Sequence, residues 1–208
     1  MTTLSALILG FGLGLRHASD ADHVAVVSTL IQHSPGVASA ARVAALWGLG
    51  HTATFLSLGL PLVCFGLRVP SQFEQATEIL VALMLMGFGL WHLGRPGTCA
   101  LSGSPDRRHR SWTAARAVFV GLVHGLAGSV GIALVAATTI PARSWAVAYL
   151  LLYGIGTIAG MVLLTVLIAP PLVWTQRTPG WGRRVSLLAA LLNLVLGAAF
   201  LLLSVRKT

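Results

Sequence analysis

The sequence predicts an all-α fold, a polytopic bundle of about six transmembrane helices, on three observations. Only 9% of the 208 residues are charged and 56% are hydrophobic, against roughly 25% charged in soluble globular chains. Apolar stretches close to the ~20 residues needed to cross a hydrocarbon core recur along the whole chain. Pro, Gly and Arg punctuate the breaks between them.

Apolar runs bounded by these breaks predict helices near 4–31, 38–66, 73–94, 115–139, 143–168 and 185–204. The first joins two apolar flanks, 4–15 and 24–31, through Arg16-His17-Ala18-Ser19-Asp20-Ala21-Asp22-His23. Neither flank spans alone, but together they reach roughly 42 Å at 1.5 Å per residue. This apolar start lacks a basic leader and a small-residue cleavage site, so it is expected to be retained. The second helix lies between the HSPG and RVPSQ breaks, and the third ends at the long connector RPGTCALSGSPDRRHRSW. IPAR separates the fourth from the fifth, and PPLVWTQRTPGWGRR precedes the sixth. Trp91, Trp112, Trp145, Trp174 and Trp181 fall near helix ends, where an amphipathic ring suits the headgroup region, and Trp47 is the exception. The expected organisation is one membrane domain, 1–208, with a first three-helix half at 1–95, a connector at 96–114 and a second half at 115–208.

The net charge of +9 does not point to nucleic acid, because the arginines sit at the ends of apolar runs rather than on a patch with interleaved aromatics. They read as topology signals. The odd-numbered connectors carry Arg42, Arg95, Arg107, Arg108, Arg110, Arg116, Arg177, Arg183 and Arg184, and the other side carries Arg68, Arg143, Arg206 and Lys207. The positive-inside rule then puts the odd connectors, with 95–114, in the cytoplasm and both termini outside. Two cysteines, Cys64 and Cys99, make neither a disulfide framework nor a CxxC pair.

An internal repeat accompanies this layout. Gly14-Leu15-Arg16-His17 recurs as Gly121-Leu122-Val123-His124, and Gly48-Leu49-Gly50-His51 recurs, at almost the same separation, as Gly154-Ile155-Gly156-Thr157. The third and sixth helices share a Leu-rich pattern ending in Gly87 and Gly197. Three helices per half would make the repeat inverted, an organisation that places transport sites near the bilayer midplane. Gly10 and Gly14, Gly121 and Gly125, and Gly156 and Gly160 have the small-xxx-small spacing of close helix contacts.

Five of the eight residues 16–23 are titratable, and each charge at a helix centre costs about 2.5–3.5 kcal/mol on insertion scales. A divalent metal would compensate: imidazoles and carboxylates are the N and O donors that suit Ni, Co, Zn and Fe. On a regular helix His17, Asp20 and His23 share a face and Asp22 points away. Asp22 is then either an outer partner, for instance of Arg16, or a ligand beside His23 at a break in the helix. A buried ion-pair network of Arg16 with both aspartates is the bland alternative, and it leaves the histidines idle. His51 and His124, each flanked by glycine in the middle of an apolar run, extend the candidate set to His17, Asp20, Asp22, His23, His51 and His124. Arg16, Thr52 and Ser129 are the polar neighbours expected to support it, while His33, His92 and His109 lie at helix ends and read as ordinary polar residues.

The stretch RHASDADHVA resembles the signature of the nickel/cobalt transporter family, a His followed after four residues by Asp-His. Leu49-Gly50-His51-Thr52 resembles that family's second signature, one helix later. The chain length and the GLVHGLAGS segment resemble the shorter six-helix relatives of that family, linked to urease or hydrogenase maturation. The resemblance implies uptake of Ni2+ or Co2+ by a helical permease in a bacterial inner membrane, with His17, Asp22, His23 and His51 essential. The metal is the transported substrate, and no organic cofactor is implied. The partners expected are a divalent metal ion and the bilayer, with a second copy or a metallochaperone as further candidates. Lys207 is the sole lysine, so a P-loop ATPase is excluded and transport is expected to be secondary. An enzyme is not expected, since HExxH and closely spaced histidine boxes are absent. An exporter and a non-transporting metal-delivery protein are the remaining alternatives.

Overall fold

The computed structural model describes residues 3–32, 34–67, 69–94, 107–126, 137, 139–140, 142–178 and 180–206. They form helices α1 (Thr3–His17), α2 (Ala21–Leu30), α3 (Val37–Phe65), α4 (Ser71–Leu93), α5 (Arg107–His124), α6 (Arg143–Arg177) and α7 (Trp181–Val205). Helices α3, α4, α6 and α7 are long and apolar enough to cross a membrane. The fold of the described residues is all-helical, as the sequence predicts, but three of the expected helices differ in their bounds.

The expected helix 4–31 is broken into α1 and α2. Asp20 takes an extended conformation (φ −61°, ψ 149°), and the Ser19 hydroxyl donates to the Arg16 carbonyl at 2.6 Å. Ser and Asp offer the backbone such local alternatives to helix continuation. The expected helix 115–139 begins earlier, at Arg107, and ends at His124, with Gly125 and Leu126 in a turn; 127–136 lie outside the described residues. The expected stop at 168 is overrun: α6 continues through Pro170 and Pro171 to Arg177. An interior proline costs about 3 kcal/mol, and here Ile168 and Leu172 on either side of the pair pack against the apolar core, which offsets it. Helix α3 ends as expected where Gly66 adopts φ +65°, a left-handed cap that glycine accepts without strain.

Glycines set how the helices cross. A methyl group at Gly14 of α1 would strike the Tyr153 carbonyl and the Thr157 amide nitrogen of α6, and one at Gly156 would strike the Phe11 carbonyl and the Leu15 nitrogen. Between α5 and α3 the pattern repeats: Gly121 lies against the Trp47 carbonyl and the His51 nitrogen, and Gly50 against the Val118 carbonyl and the Leu122 nitrogen. The residues met in the two crossings are thus counterparts in the internal repeat, Trp47 with Tyr153 and Leu15 with Leu122. Helices α4 and α7 cross similarly, with Gly89 against Ala190 and Leu194 and Gly197 against Ala82 and Met86. Gly89 makes that contact, whereas Gly87, the glycine picked out by the sequence pattern, faces open space.

Helix α3 runs antiparallel to α6, since Gly48 meets Ile158 while Thr52 meets Gly154. Hydrogen bonds tie these crossings: Thr52 Oγ1 donates to the Gly154 carbonyl (3.3 Å) and Thr54 Oγ1 to the Leu122 carbonyl (3.0 Å). The buried Asn193 of α7 donates to the Ala25 carbonyl (3.0 Å) and Thr29 Oγ1 (2.9 Å) of α2. Two apolar clusters result, one around Val26, Val27, Trp47, Leu85 and Met161, the other around Phe55, Tyr149, Leu150 and Tyr153. Trp91, Trp112, Trp145, Trp174 and Trp181 are all exposed near helix ends, and Trp47 is fully buried.

Candidate metal centre

Between the two apolar clusters lies a polar one. His51 is the fifteenth of the 29 residues of α3, so it sits at the helix midpoint, about 21 Å from either end at 1.5 Å per residue. His17 ends α1, Asp22 and His23 open α2, and His124 ends α5. The break at 18–20 brings the first three to the same level as His51. These five side chains are all but removed from solvent, with His17 5%, Asp22 9%, His23 0%, His51 1% and His124 1% exposed.

The hydrogen bonds orient the rings. An ionised carboxylate only accepts, so His17 Nδ1 donates to Asp20 Oδ2 (3.0 Å), His23 Nδ1 to Asp22 Oδ1 (3.1 Å) and His124 Nε2 to Asp22 Oδ2 (3.1 Å). The His23 backbone N–H also donates to Asp22 Oδ1 (3.0 Å). His17 Nε2 is left facing His51 Nε2 at 3.4 Å. Two imidazole nitrogens on one tetrahedral ion, each at 2.0–2.1 Å, would stand about 3.3–3.4 Å apart. His23 Nε2, His51 Nδ1 and His124 Nδ1 have no hydrogen-bond partner among the described residues. Buried polar atoms are rarely left so, and a water or an ion is the usual partner.

The donors fall into two groups, His17 with His23 and His51, and Asp22 with His23 and His124, within each of which one ligand atom per residue lies within 4.8 Å of the others. The chemistry of this set, four imidazoles and one buried carboxylate without thiolate, fits a borderline divalent ion such as Ni2+, Co2+ or Zn2+. The helix is broken at 18–20, and Asp22 turns inward to accept from His23 and His124 rather than pairing with Arg16. Asp20 is 43% exposed in its side chain and, among the described residues, reaches only His17. Arg16 is exposed, and among the described residues both aspartates pair with histidines rather than with it, so the ion-pair network is not formed. Thr52 bonds the Gly154 carbonyl of α6 rather than a histidine. Ser129 lies outside the described residues, as do His33 and the His109 side chain. His92 hydrogen-bonds the Phe88 carbonyl of its own helix.

The aromatic residues enclosing the cluster are not among those the sequence points to. Trp47 and Phe55 lie one helical turn before and after His51, so they occupy its face of α3 on either side of it. Trp47 approaches His23 and His124, with ring centroids 5.4 and 5.9 Å apart. At the other end Tyr153 stacks on His17 (5.8 Å) and packs on Phe55 (4.9 Å). The i−4, i, i+4 spacing around His51 is the signal that could have found the first two, and Tyr153 is the counterpart of Trp47 in the internal repeat.

No protein-family model matches the chain, and no solved structure matches it. Among curated proteins the chain is similar to the urease accessory protein UreH of Bacillus sp. (strain TB-90), with 32% identity over 183 residues that cover 84% of this chain and 80% of that protein.

Proposed function

Since the chain belongs to the family of the urease accessory protein UreH, we propose that it is a membrane permease that carries Ni2+ or Co2+ inward, in support of metal-enzyme maturation. The observation that carries this reading is the cluster of His17, Asp22, His23, His51 and His124, buried at the midpoint of a membrane-length helix with three ring nitrogens unpartnered among the described residues. Ionisable groups at that depth are expensive, and their usual return is an ion pathway. The accessory role named for the relative, and the resemblance of RHASDADHVA and LGHT to the nickel/cobalt transporter signatures, narrow the cargo to nickel or cobalt.

The energetics favour entry. An inside-negative potential contributes about 2.3 kcal/mol per charge per 100 mV, doubled for a divalent ion. Binding requires imidazoles free of protons, so release can be coupled to protonation.

The reading includes six spans, the first of them the broken pair α1 and α2, arranged as an inverted 3+3 repeat. Its support is the recurrence of the glycine crossings at counterpart positions, α1 with α6 and α5 with α3, and the antiparallel course of α3 and α6. The arginine distribution puts the start of α3 and the connector 95–114 on the cytoplasmic side.

Radiolabelled nickel uptake, with cobalt and zinc as competitors, tests the proposal in cells expressing wild type or His17→Ala at matched levels. Uptake above background that His17→Ala abolishes is the expected result. Accumulation no greater than in cells lacking the protein would overturn it, and accumulation below that level would make the protein an exporter.

A further inference from the structure

The polar cluster has two ends, and they are built alike. At one end His17 of α1 lies under Tyr153 of α6; at the other His124 of α5 lies near Trp47 of α3. His124 is the counterpart of His17 in the internal repeat, and Tyr153 is the counterpart of Trp47, in the same register in which the glycine crossings recur. The ends face opposite ways along α3, because Tyr153 packs on Phe55, one turn beyond His51, while Trp47 lies one turn before it. His23 lies between them, its ring 4.4 Å from that of His17 and 4.6 Å from that of His124. Among the described residues it alone belongs to both three-donor groups.

We propose that the cluster holds a divalent ion at two successive positions that share His23. The first is made by His17, His23 and His51 beneath Tyr153; the second by Asp22, His23 and His124 beside Trp47. The ion passes from one to the other by exchanging His17 and His51 for Asp22 and His124 around His23, taking the place of the N–H protons that Asp22 accepts from His23 and His124, which move to the ring nitrogens left free. This inference rests on the metal-carrying reading above and adds to it a path within the site. Three features support two positions rather than a single five-donor one. The unpartnered Nε2 of the fully buried His23 is available between the two ends. Asp22 is turned to His124, and Asp20, not Asp22, orients His17. Each end is closed by its own aromatic ring, so an ion at either position is screened from one side of the bundle. A single buried carboxylate offsets only part of one divalent charge in hydrocarbon, which makes the two positions alternatives for one ion rather than places for two.

Co2+ bound to the purified full-length protein in detergent is the probe, read by X-ray absorption for the number of imidazoles and the presence of a carboxylate. Wild type is expected to show three imidazoles without carboxylate, or two with carboxylate, or a mixture. His124→Gln should confine the ion to the first position, with three imidazoles and no carboxylate. His51→Gln should confine it to the second, with two imidazoles and a carboxylate. Both variants should keep one Co2+ per chain yet lose uptake in cells, whereas His23→Gln should lose binding at concentrations that saturate wild type. Circular dichroism and elution volume confirm that each variant is folded. Four imidazoles on Co2+ in wild type, or the same coordination in His51→Gln and His124→Gln, would overturn the two-position path. A folded wild type that binds Co2+ as described but takes up no metal would leave the path standing and remove the permease reading; one that binds no Co2+ would remove both.

Discussion

At the scale of single residues, Asp20 and Asp22 are chemically identical and two positions apart, and the structure gives them different work. Asp22 is buried and accepts from His23 and His124, whereas Asp20 is half exposed and, among the described residues, holds only Nδ1 of His17. Asp20→Asn keeps an acceptor for that N–H, so metal affinity is expected to fall by about 10-fold, the lower range for groups that orient a ligand. Asp22→Asn removes the buried negative charge and is expected to abolish uptake at any practicable metal concentration; equal losses in the two variants, measured by uptake titration, would contradict this division. Lowering the pH should weaken Co2+ binding, because protons and metal compete for the same imidazole nitrogens. Equilibrium titrations between neutral and mildly acidic pH check the sign. The sequence made the residue set legible, since titratable groups inside an apolar run are too costly to stand there idle. It left the direction of Asp22 open, because helical periodicity assumes a continuous helix, which the local bond of Ser19 and the extended backbone at Asp20 interrupt.

At the scale of helices, the small-xxx-small pairs were readable and their partners were not. Spacing identifies a surface of low relief, but which neighbour fits it depends on the whole bundle; Gly87, which faces open space, and Gly89, which touches α7, are indistinguishable by pattern. The boundaries missed have a similar origin. Pro170 and Pro171 are strong local stop signals, overridden by the packing of Ile168 and Leu172 on the core. The glycine contacts give a sharp contrast. Gly14→Ala and Gly121→Ala each drive a methyl group into a backbone carbonyl of the facing helix, and overpacking of this kind costs about 1–3 kcal/mol. A methyl group at Gly12 would have no neighbour within 4 Å, so Gly12→Ala is expected to be neutral or to gain up to about 1 kcal/mol from helix propensity. Thermal unfolding in detergent, with the midpoint lowered in the first two variants only, is the expected outcome.

At the scale of the whole molecule, the direction of each helix through the membrane connects the proposed repeat to the proposed transport. An inverted repeat requires α3 and α6, the second helices of the two halves, to start on opposite sides, and their contacts run antiparallel as that requires. In the proposed permease, alternating access would need no separate machinery for the two faces: a motion that loosens Tyr153 over His17 at one end would have its counterpart at Trp47 and His124 at the other. The sidedness proposed from the arginines expects the start of α3 in the cytoplasm and the start of α6 outside. Single cysteines introduced at Pro35, just before α3, and at Arg143, the first residue of α6, both of which are exposed, test this directly once Cys64 and Cys99 are replaced by alanine. In intact cells a membrane-impermeant maleimide should label Arg143→Cys and spare Pro35→Cys, and Pro35→Cys should become reactive on permeabilisation. The reverse pattern would keep the inverted repeat and turn the protein over, making the Trp47 end the outer one. Labelling of both positions from the same side would break the repeat itself, and with it the equivalence of the two ends of the metal site.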